Sequence, residues 1–114
     1  KTPYHIRNLP RFISCATGID IDEAGLWEIA RRNRNLVRVV NIRRGLRREV
    51  ERPPEDHWLK RFPEYEGKLL DEYYKFKGWN SEGIPTRESL QELALDYVAE
   101  DFRRRGILTD GEAK

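Results

Sequence analysis

The sequence predicts an all-α fold, an irregular helical bundle that forms one domain over residues 1–114. Apolar side chains recur at intervals of three and four residues, glycines follow the ends of these runs, and no segment predicts a strand. The chain also contains three Trp, five Tyr and four Phe, and the burial of these rings can offset the entropy lost on folding. Together these observations favour an ordered helical domain over a disordered chain.

The N-terminal part of the chain predicts one short helix. Pro10 breaks an irregular start, and a helix over residues 11–16 then ends before Gly18. Cys15 lies in this helix and is expected to be a small core residue rather than a nucleophile. Because it is the single cysteine, no disulfide can form within the chain, and a cytoplasmic location is expected.

A long helix is predicted next, from residue 21 or 22 to residue 44. Asp20 is its predicted N-cap, Glu23 completes a capping box, and Gly45 follows its C-terminus. The spacing of its apolar residues predicts a single buried face, which consists of Leu26, Ile29, Ala30, Asn33, Val37 and Val40.

Residues 46–62 predict an extended, ordered loop. Arg52-Pro53-Pro54 interrupts any helical period, because proline lacks the backbone N–H that a helix needs. The loop carries His57 and Trp58. A loop of this length in a compact domain is usually functional or lies across a partner surface.

Two further helices are predicted on either side of a corner. Pro63 suits the first turn of the third helix, which ends at Gly78 and whose apolar residues are Leu69, Leu70, Tyr73, Tyr74 and Phe76. Trp79 is expected to fold back between the helices as a hydrophobic plug. Asn80 and Gly83 both tolerate the left-handed backbone angles that a turn can require.

The last helix is predicted to begin after Thr86, its expected N-cap, and to end at Gly106. Ile107 and Leu108 are expected to pack back against it. Its predicted buried stripe consists of Leu90, Leu93, Ala94, Tyr97, Val98 and Phe102.

Basic residues are concentrated in residues 31–52, which contain nine Arg and two Glu. Such a stripe can bind nucleic acid or an anionic cofactor, or it can pair with carboxylates of the same protein, which is the favoured interpretation. Nucleic-acid binding is not expected, because the exposed side of the last helix carries acidic residues that phosphates would repel: Glu88, Glu92, Asp96, Glu100 and Asp101.

The sequence predicts no catalytic residue and no metal site. His5, Cys15 and His57 lack the spacing of metal ligands, and no glycine-rich phosphate loop is present. No apolar run approaches the roughly 20 residues that span a bilayer. The chain contains no Met, and we therefore expect it to be a segment of a longer polypeptide.

Three motifs resemble those of the aldehyde ferredoxin oxidoreductase family. Residues 34–45, RNLVRVVNIRRG, resemble its stretch R-x-x-N-L-x-R-x-x-N-x-R-x-G. LDEYY, GWN and GIPT, at residues 70–74, 78–80 and 83–86, resemble its L-D-E-Y-Y, R-G-W-D and G-I-P-T. Residues 93–108 resemble its C-terminal pattern, with Ala94 at a position where the family usually has Gly. The loop 52–58 looks most like the branch that contains the tungsten-dependent benzoyl-coenzyme A reductase catalytic subunit.

This resemblance implies that the chain is part of the C-terminal domain of a larger enzyme. The family carries a tungsten, or sometimes molybdenum, bis-pterin and one 4Fe-4S cluster, and neither is expected to be ligated by this segment. The implied activity is aldehyde oxidation with ferredoxin, or reduction of an aromatic acyl-coenzyme A such as benzoyl-coenzyme A. The implied partners are the rest of its own chain and ferredoxin or an iron-sulfur electron-transfer subunit, in an oligomer.

The segment is expected to help enclose the cofactor and the substrate channel. Asn41, Arg43 and Gly45 at the end of the long helix, and His57 in the loop, are the candidate channel residues. A guanidinium can bind a phosphate through two parallel hydrogen bonds, so an arginine suits an anionic cofactor or substrate. The alternative is an independent basic helical module that binds nucleic acid or a protein partner.

Overall fold

The computed structural model describes residues 4–52, 54 and 64–108. The helices of this part are α1 (Tyr4–Thr17), α2 (Glu23–Arg43), α3 (Glu66–Lys77), α4 (Arg87–Glu92) and α5 (Asp96–Arg104), with one 3₁₀ turn at Arg48–Val50. These residues form no strand, only an isolated antiparallel bridge between Trp79 and Pro85. The predicted all-α fold is confirmed. None of the described helices has both the length and the apolar character needed to cross a bilayer.

The chain divides into two compact units, residues 1–34 and residues 35–114. The first unit contains α1 and the beginning of α2. The second contains the end of α2, the 3₁₀ turn and the helices α3 to α5. The organisation of both units as one domain stays a prediction.

The start of the chain is more regular than its sequence predicts. Helix α1 runs through Pro10, whereas we expected an irregular start and a helix over residues 11–16 only. Proline removes one helical hydrogen bond, but Pro10 is buried, so the packing of its ring offsets that loss. Cys15 is exposed and is therefore not the core residue that we expected. The helix ends as predicted before Gly18, whose backbone has a φ of +74°.

Helix α2 has the predicted extent but a different N-cap. It begins at Glu23, and the side chain of Asp22 accepts a hydrogen bond from the backbone N–H of Gly25 at 2.8 Å. The predicted cap, Asp20, lies two residues too early for this contact. An N-cap side chain must reach the N–H two or three residues further on, so the helix start identifies Asp22 as the cap.

Four helix ends share one hydrogen-bond pattern, the Schellman motif. A residue with left-handed backbone angles donates to the carbonyl three residues earlier, and the next residue donates to the carbonyl five residues earlier. Gly45, Gly78 and Gly106 occupy this position as predicted. Ala94 occupies it as well, with a φ of +54°, and its neighbour Leu95 donates to the carbonyl of Leu90 at 2.8 Å. The predicted single last helix is therefore two helices, α4 and α5.

The core of the second unit lies between the end of α2, the corner after α3, and α4 with α5. Its buried apolar residues are Val39, Ile42, Ile84, Leu90, Leu93, Leu95, Val98 and Phe102. Ile107 and Leu108 pack against its edge, as predicted. Ala94 and Tyr97 are exposed, because the break at Ala94 changes which side of each helix faces the core.

The predicted buried faces of α2 and α3 are largely wrong within the described residues. In α2, Ile29, Val37 and Val40 are half exposed, and the buried residues are instead Asn35, Arg38, Val39 and Ile42. In α3, Tyr74 is the one buried residue, and Phe76 is 81% exposed. The helical period was correct, but the sequence did not indicate which side of the helix meets the core.

Candidate functional site

The most connected side chain of the described residues is Arg38, which is only 6% exposed. Its Nε donates to the carbonyl of Gly83 at 2.8 Å. Its two terminal nitrogens form a bidentate ion pair with the carboxylate of Glu51, with Nη2 at 2.6 Å from Oε2. The hydroxyl of Tyr74 donates to the same carboxylate. Arg38, Glu51, Tyr74, Trp79 and Gly83 are hereafter called the Arg38 cluster.

Aromatic rings enclose the guanidinium of this cluster. The Cζ of Arg38 lies 4.3 Å from the centroid of the Trp79 ring and 5.5 Å from that of Tyr74. Trp79 is buried, and its indole N–H donates to the side-chain oxygen of Asn35 at 2.8 Å. The ring of Tyr73 meets that of Trp79 edge-on at 5.7 Å. Trp79 is buried as predicted, but these contacts join it to α2 and α3 rather than to the last helix, and its ring covers a cation.

Glycine is required at position 83 because the cluster lies against it. A Cβ added to Gly83 would lie 2.1 Å from Nη2 of Arg38 and 2.7 Å from Cζ of Tyr74, and its φ of +74° is left-handed as predicted. Asn80 does not adopt left-handed angles; its side-chain oxygen accepts instead from the N–H groups of Glu82 and Ile84, each at 3.0 Å. The corner is therefore held by an Asn side chain and one glycine.

Burial and hydrogen bonding shift the pKa values of the cluster. Burial alone would raise the pKa of the Glu51 carboxyl, but the hydrogen bonds from Arg38 and Tyr74 outweigh it and lower that pKa. Burial alone would lower the pKa of Arg38, but the hydrogen bond to Glu51, the charge of Glu51 and the contact with Tyr74 together outweigh it, and the pKa is raised. Burial and the hydrogen bond to Glu51 raise the pKa of the Tyr74 phenol to about 12. At neutral pH the cluster is an ion pair with a neutral phenol.

A second arginine, Arg48, also joins the segment after α2 to α3 and to the corner. The Nη1 of Arg48 lies 2.6 Å from a carboxylate oxygen of Asp71 on α3 and donates to the carbonyl of Ser81 at 3.0 Å. Glu51 and Arg48 both belong to the segment after α2, and their contacts tie that segment to α3 and to the corner. Within the described residues, no buried side-chain nitrogen or oxygen lacks a hydrogen-bond partner. The cluster is thus a scaffold in which the buried polar side-chain atoms are hydrogen-bonded.

The predicted channel residues lie outside this cluster. Asn41, Arg43 and Gly45 are exposed at the end of α2, and Gly45 has a φ of +98° with no atom within 4 Å of an added Cβ. The Nε of Arg43 lies 3.8 Å from a carboxylate oxygen of Asp101. His57 lies outside the described residues. The three described candidates therefore lie together at the C-terminal end of α2.

Much of the arginine stripe pairs with carboxylates, which was the favoured interpretation. Arg38 pairs with Glu51, Arg43 with Asp101, and Arg48 with Asp71. Sequence analysis did not single out Arg38 or Glu51. A signal was present, because Asn35, Arg38, Val39 and Ile42 also follow helical spacing. An arginine on such a stripe indicates a buried cation, provided that an acid is available, and Glu51 lies within the same arginine-rich stretch, three residues after Arg48.

Comparison with known proteins extends over most of the chain. Residues 1–95 match the family described as "Aldehyde ferredoxin oxidoreductase, domains 2 & 3". The chain is also similar to a chain of the solved structure "Active site complex BamBC of Benzoyl Coenzyme A reductase in complex with 1,5 Dienoyl-CoA", with 56% identity and a TM-score of 0.89. That match covers 97% of this chain and 17% of the solved chain, so the present chain spans about a sixth of its length.

No curated protein sequence matches the chain. The family match nevertheless includes the whole of α1, α2, α3 and α4, with the corner and the Arg38 cluster. The predicted family is confirmed by this match and by the identity to the solved chain. The chain belongs to the aldehyde ferredoxin oxidoreductase family.

Proposed function

We propose that the chain is a non-catalytic segment of a tungsten or molybdenum bis-pterin, 4Fe-4S oxidoreductase that reduces an aromatic acyl-coenzyme A. One observation carries the choice of substrate: the 56% identity, over 97% of the chain, to a protein of benzoyl-coenzyme A reductase solved with a dienoyl-coenzyme A. Family membership alone does not choose between this reaction and aldehyde oxidation. An identity of 56% to a protein solved with a coenzyme A thioester favours a thioester over an aldehyde as the substrate.

The described residues do not fit the role of metal or cluster ligands. Within residues 4–52, 54 and 64–108, no three His, Cys, Asp or Glu side chains lie close enough together to hold a metal ion. Cys15 is exposed and has no second cysteine beside it in this chain. The pterin metal and the cluster would be held by the rest of the longer polypeptide, and we assign no redox step to this segment.

The proposed contribution of the segment is to hold the wall of the substrate channel. The Arg38 cluster joins four parts of the chain, namely α2, the first part of the loop 46–62, α3 and the corner after α3. Arg38 and Tyr74 therefore hold the loop at Glu51, on the N-terminal side of His57. A bidentate, buried ion pair suits such an anchor, because its geometry is specific and leaving either partner alone is costly.

Arg43 is the one cation among the described channel candidates Asn41, Arg43 and Gly45. Its partner Asp101 is already paired with Arg105, whose Nε lies 3.0 and 2.9 Å from the two carboxylate oxygens. The contact of Arg43 with Asp101, at 3.8 Å, is longer than a hydrogen bond, and its side chain is half exposed. We propose that Arg43 exchanges this weak contact for a phosphate of the coenzyme A part of the substrate.

Arg43→Ala in the full-length enzyme tests the channel role. We expect the KM for the acyl-coenzyme A to rise and activity to fall more than stability does, since the pair with Asp101 is weak and exposed. Arg105→Ala is the matched control, because it also removes a guanidinium from Asp101. Unchanged activity of Arg43→Ala together with a lowered melting temperature would overturn the channel role.

The function itself is tested on the native full-length protein, purified without oxygen. We expect a polypeptide several times longer than 114 residues with bound tungsten or molybdenum and iron. It should oxidise the cyclic dienoyl-coenzyme A to benzoyl-coenzyme A with an artificial electron acceptor and leave aldehydes unreacted. Aldehyde oxidation without activity on the thioester would refute the substrate. A metal-free chain of 13.6 kDa would favour the independent basic module instead.

The same preparation tests the proposed surroundings of the enzyme. We propose a cytoplasmic, oligomeric enzyme that receives electrons from ferredoxin or from an iron-sulfur subunit. Native mass spectrometry would give the oligomeric state and any co-purifying iron-sulfur protein. Reduction of the enzyme by reduced ferredoxin in the absence of any second subunit would favour ferredoxin as the direct donor.

A further inference from the structure

The surface of α5 carries two adjacent carboxylates, Glu100 and Asp101, and each has one close arginine. The guanidinium of Arg103 donates to both oxygens of Glu100, at 3.0 and 2.8 Å. The Nε of Arg105 lies 3.0 and 2.9 Å from the two oxygens of Asp101. Charge-assisted contacts of this kind are the strong ones between arginine and a carboxylate. Each carboxylate therefore already has its close ion pair.

A second arginine approaches each of these carboxylates at a longer distance. The Nε of Arg104 lies 4.0 Å from Glu100, and the Nε of Arg43, on α2, lies 3.8 Å from Asp101. Both distances exceed that of a hydrogen bond, and the two arginine side chains are 67% and 49% exposed. Since four arginines share two carboxylates, this group carries a surplus of positive charge. Arg104 and Arg43 can therefore turn to another anion without breaking a hydrogen bond to these carboxylates.

An exposed aromatic ring lies on the same side of α5 as this charge. Tyr97 is 64% exposed, and it precedes Asp101 by four residues and Arg104 by seven. Residues three or four apart are neighbours on a helix surface, so the three side chains follow one another along one face, over a rise of about 10 Å. The buried residues of α5 are Val98 and Phe102. The ring of Tyr97 is thus available beside the surplus charge rather than used in the core of the second unit.

We infer that Tyr97, Arg104 and Arg43, hereafter called the nucleotide face, bind the phosphorylated nucleotide end of coenzyme A. A nucleobase stacks on an exposed aromatic ring, because every base has a π-face, and a guanidinium binds a phosphate through two parallel hydrogen bonds. The base would stack on Tyr97 and the phosphates would meet the two guanidiniums. This inference rests on the proposed function and extends it, since it adds a second guanidinium and a platform for the base to the phosphate contact of Arg43.

The composition of the nucleotide face favours a nucleotide over a protein segment as its occupant. Moving surplus guanidiniums out of water is costly unless an anion accompanies them, so an apolar segment is a poor cover. A segment rich in carboxylates would match Arg43 and Arg104 but would offer no planar group to the ring of Tyr97. A nucleotide supplies phosphate oxygens and a planar base in one molecule, so it matches both parts of the face.

Binding of adenosine 3′,5′-bisphosphate to the full-length holoenzyme tests the inference, because this molecule carries the base and phosphates of the coenzyme A end alone. Tyr97→Ala and Arg104→Ala should each weaken its binding about 10-fold, as expected for the loss of one stacked ring or one charge-assisted contact. Tyr97→Phe should bind as the wild type does, since the ring remains. The matched controls are Phe76→Ala and Lys75→Ala on α3, which remove an exposed ring and an exposed charge elsewhere and should leave the affinity unchanged.

Three results would overturn the inference: no binding of the bisphosphate to the wild type, wild-type affinity in Tyr97→Ala and Arg104→Ala, or a loss in Arg104→Ala alone, which would mean a phosphate contact without a platform for the base. The proposed substrate fails separately. Aldehyde oxidation without activity on the thioester, in an enzyme that binds the bisphosphate as expected, would refute the substrate alone. Turnover of the thioester with an unchanged KM in both alanine variants would refute the nucleotide face alone.

Discussion

Replacing Arg38 by methionine should open the corner after α3. Methionine retains the apolar stem of arginine but donates no hydrogen bond, so the carboxylate of Glu51 loses its bidentate partner and the carbonyl of Gly83 loses the Nε donor. The ring of Trp79 also loses the cation over its face at 4.3 Å. What is left is a partly buried carboxylate with the Tyr74 hydroxyl as its neighbour.

Arg38→Met should lower the free energy of opening the corner by about 3 kcal/mol. Removing one partner of a buried ion pair costs about 3–5 kcal/mol, because the remaining charge stays desolvated. The lower end applies here, since the side chain of Glu51 is 27% exposed and water can reach it once Arg38 is gone. A free energy of about 3 kcal/mol corresponds to roughly a 100-fold change in the equilibrium between the closed and the open corner. Arg38→Met with Glu51→Leu should recover most of the loss, because no uncompensated charge is then buried.

Hydrogen exchange in the full-length protein measures this equilibrium locally. The backbone N–H groups of Asn80, Ile84 and Thr86 are bonded within the corner, so their exchange reports its opening. We expect roughly 100-fold faster exchange in Arg38→Met and no measurable change in Arg103→Met, whose pair with Glu100 is half exposed on both sides. Equal exchange in both variants would refute the assignment of Arg38 as the anchor of the corner.

Three further changes test the corner and its caps by the same exchange measurement or by titration. Gly83→Ala should cost about 2–5 kcal/mol through backbone strain and the clash with Arg38, whereas Gly45→Ala, with no atom near its added Cβ, should cost only about 1–2 kcal/mol of strain. Ala94→Gly should stabilise α4 by about 0.5–1 kcal/mol, because the relief of left-handed strain exceeds the added chain entropy, and slower exchange at Leu95 would show it. Subtracting the alkaline titration of Tyr74→Phe from that of the wild type should leave one phenol that ionises near pH 12. Since this pKa is raised above the ordinary value of about 10, the stabilisation is complete below about pH 10 and is lost as the pH rises through about 12. A phenol that ionises at about 10 would contradict the hydrogen bond to Glu51.

Features that depend on a few neighbouring residues were predictable from the sequence. The ends at Gly45, Gly78 and Gly106, and the N-cap at Thr86, follow from local backbone geometry, and the structure has all four. Ala94 was the exception, because alanine gives no signal of a left-handed angle. Its resemblance to a position where the family usually has Gly was the available clue, and the φ of +54° explains why glycine suits that position.

Features that depend on distant residues were not predictable in the same way. Arg38, Glu51 and Gly83 are far apart in the sequence, and no local pattern states that a guanidinium will lie between a carboxylate and a backbone carbonyl. The arginine stripe was correctly expected to pair with acids, but the sequence did not distinguish the buried Arg38 from the half-exposed Arg43. The channel role of Arg43 and His57 stays a prediction for the same reason, since it depends on what lies opposite them.

Val37 and Val40, the half-exposed valines of α2, show how a helical pattern that depends on neighbouring residues leaves open which face distant residues bury. Helical periodicity in a sequence reflects every surface that a helix buries, and in this chain Val37 and Val40 are half exposed. A helix between two layers needs apolar spacing on both sides, and α2 has it: one stripe contains Val39 and Ile42, the other Val37 and Val40. The predicted face of α2 is thus wrong for the second unit, in which Val37 and Val40 are half exposed.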